Sequence, residues 1–214
     1  KLTRDIDLSK TTYNNKSAQP AIVISGKTFE GDNHTIKNVT ATLFSKVATL
    51  NNLRVTTVVD GDKGITGSAV VANEVGTATN IVATGLLKGN STTVGGLFAT
   101  ATGILTNCKN YVKIDVSDKE NAKVGGIAGE GKGATGCVNY APINVSGKTG
   151  VTSLNEIYVG GIFGSADTSE ILNCGNENTV FNGYTAGGNG NYYAAGIVGS
   201  SSAEISSCYN TAMI

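Results

Sequence analysis

Short apolar stretches recur along the chain at a fixed phase, separated by runs of Gly, Asn, Ser and Thr. Leu97-Phe98, Ile104-Leu105 and Ile114-Asp115-Val116 are examples. No stretch keeps the 3.6-residue period of an amphipathic helix without meeting a glycine or a β-branched run. The pattern predicts many short strands joined by turns. A sandwich or an up-and-down barrel also has regular short strands. Neither requires one residue type to return once per strand group, and here several do.

Val-Gly-Gly-Leu-Phe-Ala starts at Val94, Val-Gly-Gly-Ile-Ala-Gly at Val124, Val-Gly-Gly-Ile-Phe-Gly at Val159 and Ala-Ala-Gly-Ile-Val-Gly at Ala194. The second glycines, Gly96, Gly126, Gly161 and Gly196, are 30, 35 and 35 residues apart. Weaker copies stand at Ala41-Thr42-Leu43-Phe44 and Gly67-Ser68-Ala69-Val70-Val71. Cys108, Cys137, Cys174 and Cys208 follow the four glycines by 12, 11, 13 and 12 residues, and Leu53 and Ile81 fill that place earlier. The position before this column reads Asn52, Asn80, Asn107, Gly136, Asn173, Ser207. Two residues after each cysteine come Asn110, Asn139, Asn176 and Asn210.

Columns of this kind arise when equivalent positions stack directly, about 4.8 Å apart. The expected fold is therefore all-β: a single-stranded right-handed parallel β-helix, or solenoid, of about six coils, with the hand following from the chirality of parallel crossovers. Residues 1-40 form an N-terminal capping segment and first coil, and 41-214 the remaining coils of one continuous domain. Glycine and asparagine are expected to supply the left-handed backbone at corners, and the Gly-Gly pair to thin the wall where it bends. The cysteine and asparagine columns are expected to form ladders, with Asn107 and Asn173 as further candidates. Buried free thiols fit a single file best; one or two disulfides, or a metal, are the competing readings.

Composition narrows the function. The 29 glycines are not every third residue and there are only two prolines, which excludes collagen. The formal net charge is zero, which disfavours nucleic acid or an anionic membrane as the main partner. No apolar run has the roughly 20 residues of a membrane-spanning helix.

The opening Leu2-Thr3-Arg4-Asp5-Ile6-Asp7-Leu8, followed by Phe29-Glu30-Gly31-Asp32-Asn33-His34-Thr35-Ile36, resembles the start of bacterial surface β-helix proteins. The Val-Gly-Gly-Ile-Phe-Gly strings resemble the GLUG repeat of adhesins and IgA-protease-type surface proteins. Asn33 stands where that family has glycine, and the family's tryptophan between the two opening segments is absent. The resemblance implies an exported bacterial protein, extracellular or at the cell surface, and no particular activity.

Candidate chemistry is sparse. His34, the only histidine, lies in the opening turn motif and is expected to have a structural hydrogen-bonding role. Asp115, Asp118 and Glu120, and the Asp60-Gly61-Asp62 turn, do not repeat in the next coil and read as solvated turn charges. No catalytic residue, metal or cofactor is assigned. The tyrosines are the functional lead. Tyr158 and Tyr193 each precede the reference glycine by three residues, Tyr192 is adjacent, Tyr184 lies in the preceding excursion, and Tyr111 and Tyr140 share another column. They either contact a ligand or cover a strand edge. The expectation is a noncatalytic surface module for adhesion or binding of a host or matrix glycan or protein. A polysaccharide lyase or glycoside hydrolase, and a structural stalk, are the alternatives. The chain is also expected to belong to a longer protein, or to pack end-on with another chain.

Overall fold

The computed structural model describes residues 1–10, 22–58, 64–119, 121–147, 155–182 and 190–214. Among them there is no α-helix; one 3-10 turn, Leu8–Lys10, interrupts an otherwise all-β chain. Every strand pairing is parallel.

The long strand Phe44–Thr57 lies beside Ala72–Gly89, which lies beside Phe98–Thr106 and Lys109–Lys119. The stack continues through Ala128–Thr135 and Ile143–Gly147 to the short strands after Phe163 and Val198. A second sheet stacks Thr93–Gly95, Ala122–Gly125, Asn155–Gly160 and Gly190–Ala195. Residues at the N-terminus use the same scheme, with Ile6 opposite Ile36 and Ile22–Glu30 along Phe44–Thr57. The parallel sheets curl around one core.

Register follows the columns. Val94, Val124, Val159 and Ala194 are successive partners, as are Leu53 and Ile81. Phe44, Ala72, Phe98, Ala128, Phe163 and Val198 form another file, buried throughout. Large and small side chains alternate over the first five positions of this file, and the Phe163 ring lies where a Cβ on Gly131 would be.

The glycines work differently from the expectation. Among the described residues, none of the glycines of the Gly-Gly pairs has positive φ. The left-handed corners belong to Asn52, Asn80, Asn107, Gly136, Asn173 and Ser207, with φ of 52°, 56°, 53°, 66°, 53° and 51°. The pairs are glycine because of close approach. A Cβ on Gly125 would overlap the carbonyl oxygen of Ala128, closing a tight bend between the sheets. A Cβ on Gly126 would overlap the carbonyl of Gly161 and lie 2.6 Å from Asn139 Cγ. Gly96, Gly161 and Gly196 face Asn110, Asn176 and Asn210 in the same way.

Those asparagines form a continuous ladder. Asn110 Nδ2 donates to Asn139 Oδ1, Asn139 to Asn176, and Asn176 to Asn210, at 2.7, 2.8 and 2.7 Å. Each side chain also donates to the backbone carbonyl two residues on. The corner column is less complete. Asn80 Nδ2 donates to Asn52 Oδ1 at 2.8 Å and Asn52 Nδ2 to Glu30 Oε1 at 3.0 Å. Asn107 and Asn173 are not linked, because Gly136 stands between them without a side chain.

Cys108, Cys137 and Cys174 are buried free thiols and Cys208 is partly exposed. Each lies near the carbonyl oxygen two residues before it. Contact with Cys108, then burial, holds the Cys137 thiol well above its ordinary range, and contact with Cys137 does the same for Cys174. Buried and held protonated, Cys137 and Cys174 act as packing groups.

Candidate functional site

In the second sheet the outward column is Thr93, Lys123, Tyr158, Tyr193. In-register parallel strands place equivalent side chains one strand spacing apart. Aromatic rings at such positions therefore stack, and the Tyr158 and Tyr193 centroids are 4.9 Å apart with planes 10° from parallel. Tyr193 is 42% exposed. The Tyr158 hydroxyl donates to Glu156 Oε2 at 2.7 Å, and this bond pushes the phenol above its ordinary value. Glu156 is itself anchored, its N–H donating to Asn121 Oδ1 at 3.0 Å.

Two clefts adjoin this edge and share Lys123. One, of about 330 Å³, lies between Thr93, Asn121, Lys123, Glu156 and Tyr158. The other, of about 300 Å³, is bounded by Lys123, Glu130, Lys132, Ser165 and Asp167. Lys123 Nζ pairs with Glu130 across the bend between the sheets.

Tyr111 and Tyr140 stack too, 4.7 Å apart and 6° from parallel. Beyond them the column continues to Glu177. Tyr209 crosses from the neighbouring column and donates its hydroxyl to Glu177 Oε1 at 2.8 Å. It can do so because Gly175, its partner in register, leaves room for the ring: a Cβ there would meet the ring edge, 2.5 Å from its Cε1.

The structure thus joins Tyr158 with Tyr193 and Tyr111 with Tyr140. It does not place Tyr192 with them: strand alternation turns that ring inward, opposite Ile157, where it packs on the core. Tyr184 lies outside the described residues, as do Asp60, Asp62 and Glu120. The His34 backbone N–H donates to Gly31 O within the turn, while the ring reaches out of it, with Nδ1 3.3 Å from Asp5 Oδ1. Asp115 accepts from Asn144 Nδ2 at 2.7 Å and pairs with Lys113 at 3.1 Å.

Among the described residues no three His, Cys, Asp or Glu side chains cluster as metal ligands. No helix of the described residues is long and apolar enough to cross a membrane. Glu177 and Tyr209 were not singled out from the sequence; the residue following each cysteine carried the signal, since it reads Lys109, Val138, Gly175, Tyr209. No family model matches the chain, and no curated protein matches it in sequence.

Proposed function

We propose that this chain is a noncatalytic binding module of an exported bacterial surface protein, built as a right-handed parallel β-helix of six coils related to the GLUG-repeat proteins. The parallel register throughout and the recurrence of the glycine, cysteine and asparagine columns support the solenoid reading. Its ligand is a glycan, or a protein surface offering similar apolar faces and hydroxyls. The observation that carries the binding reading is the parallel stack of half-buried Tyr158 on exposed Tyr193. Tyrosine rings offer an apolar face for a sugar ring and a hydroxyl for its edge. Here a rigid strand ladder holds them before any ligand arrives, which lowers the entropic cost of binding. The neighbouring Glu156, Asn121 and Lys123 supply polar groups to orient a sugar.

The carboxylates nearest the edge are already engaged, Glu156 by the Tyr158 hydroxyl and Glu130 by Lys123. That favours recognition over proton transfer. A lyase or hydrolase remains the second reading, because Glu130 and Asp167 share one cleft with Lys123 and Lys132. Incubation with polyuronates and neutral glycans, followed for unsaturated or reducing-end products, tests it.

A glycan array, together with adherence to host cells and matrix, tests the binding reading. Binding by the wild type that is lost in Tyr158→Ala/Tyr193→Ala supports it. No signal on the array together with adherence unchanged in the double variant sinks it.

A further inference from the structure

We propose that a second site, the corner groove bordered by Arg54 and Lys109, binds an acidic glycan, with acid groups seated on the two cations and sugar hydroxyls on the asparagine corner. This site is separate from the tyrosine edge and stands or falls independently of it.

The groove has a volume of about 420 Å³ and is lined by Asn33, Asn52, Asn80 and Asn107 on one side and by Arg54 and Lys109 on the other. Arg54 is the register partner of Val82, and Val82 of Lys109. The two cations therefore point outward from one column, two strand spacings or about 10 Å apart. That is comparable with the repeat of a polysaccharide carrying an acid on alternate sugars. Half-buried Val82 between them offers a small apolar face.

Charge at this corner is unbalanced. Several surface lysines have carboxylate partners: Lys46 has Glu74 at 2.6 Å, Lys113 has Asp115, and Lys123 has Glu130. Arg54 and Lys109 have none among the described residues, and both are exposed. The nearest acids in the corner columns are spoken for. Glu30 accepts from Asp32 N–H at 2.9 Å and from Asn52, and Asp32 pairs with Lys1 at 3.0 Å.

The amides are held in place by the backbone. Left-handed φ at Asn33, Asn52, Asn80 and Asn107 sets each side chain at the corner. Asn80 spends its Nδ2 on Asn52, and Asn52 on Glu30, which leaves Asn80 Oδ1 as an acceptor. The Asn107 carboxamide has no bond among the described residues, since Gly136 follows it in the column. Cations flanking uncommitted amides match a chain of hydroxyls bearing spaced acids. A nucleic-acid strand has an anion on every nucleotide and is usually gripped by stacking rings as well, and no aromatic residue lines this groove.

Affinity electrophoresis through gels containing heparin, hyaluronate, dextran or single-stranded DNA tests the proposal with the whole chain. Retardation by hyaluronate, which carries one carboxylate on alternate sugars, identifies carboxylate as sufficient, and by heparin alone a need for sulfate; dextran should not retard. Arg54→Ala/Lys109→Ala should weaken the acidic interaction about tenfold or more, and Arg54→Lys/Lys109→Arg should restore most of it. Circular dichroism confirms that these exposed substitutions leave the fold intact. Tyr158→Ala/Tyr193→Ala should leave acidic binding unchanged. The proposal is overturned if neither acidic polymer retards the protein, if the Ala double variant binds as wild type, or if the tyrosine variant alone abolishes binding. Tighter retardation by DNA, lost in the same Ala variant, would reassign the groove to nucleic acid.

Discussion

Asn110 Nδ2 donates to Asn139 Oδ1 at 2.7 Å, and neither side chain is accessible to water. Asn139 donates onward to Asn176, so it serves two neighbours at once. Asn139→Leu would leave one Asn110 amide hydrogen and the Asn176 acceptor buried without partners, at roughly 1–3 kcal/mol each. A loss of about 2–6 kcal/mol in urea unfolding is expected. Asn210→Ala, at the exposed end of the file, should cost about 1 kcal/mol or less.

The ladder and the glycine bend depend on each other. Gly126→Ala would drive its Cβ into Gly161 O and against Asn139. A cost of about 3 kcal/mol or more follows from overpacking a rigid wall. Adding Asn139→Ala relieves only the side-chain half of the clash, so the two substitutions should be non-additive. A thermal or urea double-mutant cycle measures the coupling.

Ser207 holds φ of 51° at a corner where the other coils use Asn or Gly. Left-handed backbone costs an ordinary L-residue about 1–2 kcal/mol, and Asn tolerates it better. Ser207→Asn should raise stability by about 0.5–1 kcal/mol, and Asn173→Ala should lower it by about 1 kcal/mol. A rise in the urea midpoint for the first and a fall for the second would bear this out.

Acid should loosen the N-terminal pairing first. The Thr35 N–H, then His34 and Lys37, hold Asp5 below its ordinary 3.8. The Asp32 N–H and the Asn52 amide hold Glu30 below 4.5. Because both folded values are depressed, the stabilisation is complete above the ordinary values and is lost as pH falls through the folded ones. Amide exchange at Thr35 should therefore accelerate below that window, and Asp5→Asn should remove most of the pH dependence.

At the alkaline side, Tyr209 is pushed up to about 12 by its bond to Glu177. This contribution is present below the ordinary 10 and disappears as pH rises through 12. Ultraviolet titration should show a late phenol near 12 that returns towards 10 in Glu177→Gln, while the raised Tyr158 phenol is unaffected.

Much of the architecture was legible because parallel, in-register stacking turns equal offsets into neighbours. The Gly96 and Cys108 series located the core file, the asparagine ladder and the Tyr158–Tyr193 stack from one alignment of the chain on itself. What offsets do not encode is direction. Tyr192 and Tyr193 are adjacent in sequence, yet one faces the core and the other solvent. Nor do they encode why a small residue is needed: Gly126 is dictated by a carbonyl in the next coil, not by its own dihedrals. Diagonal relations were hidden too. Tyr209 reaches Glu177 only across Gly175.

Val116 and Ala122 lie six positions apart, whereas their register partners Val145 and Ile157 lie twelve apart. The same two columns accept a connection twice as long, with the register shifting after Val145 and restored at Ile157. Foreign peptide spliced between Val145 and Ile157 would travel as cargo on an unchanged chassis. Outward sequence can diversify in such a molecule while the scaffold is inherited whole.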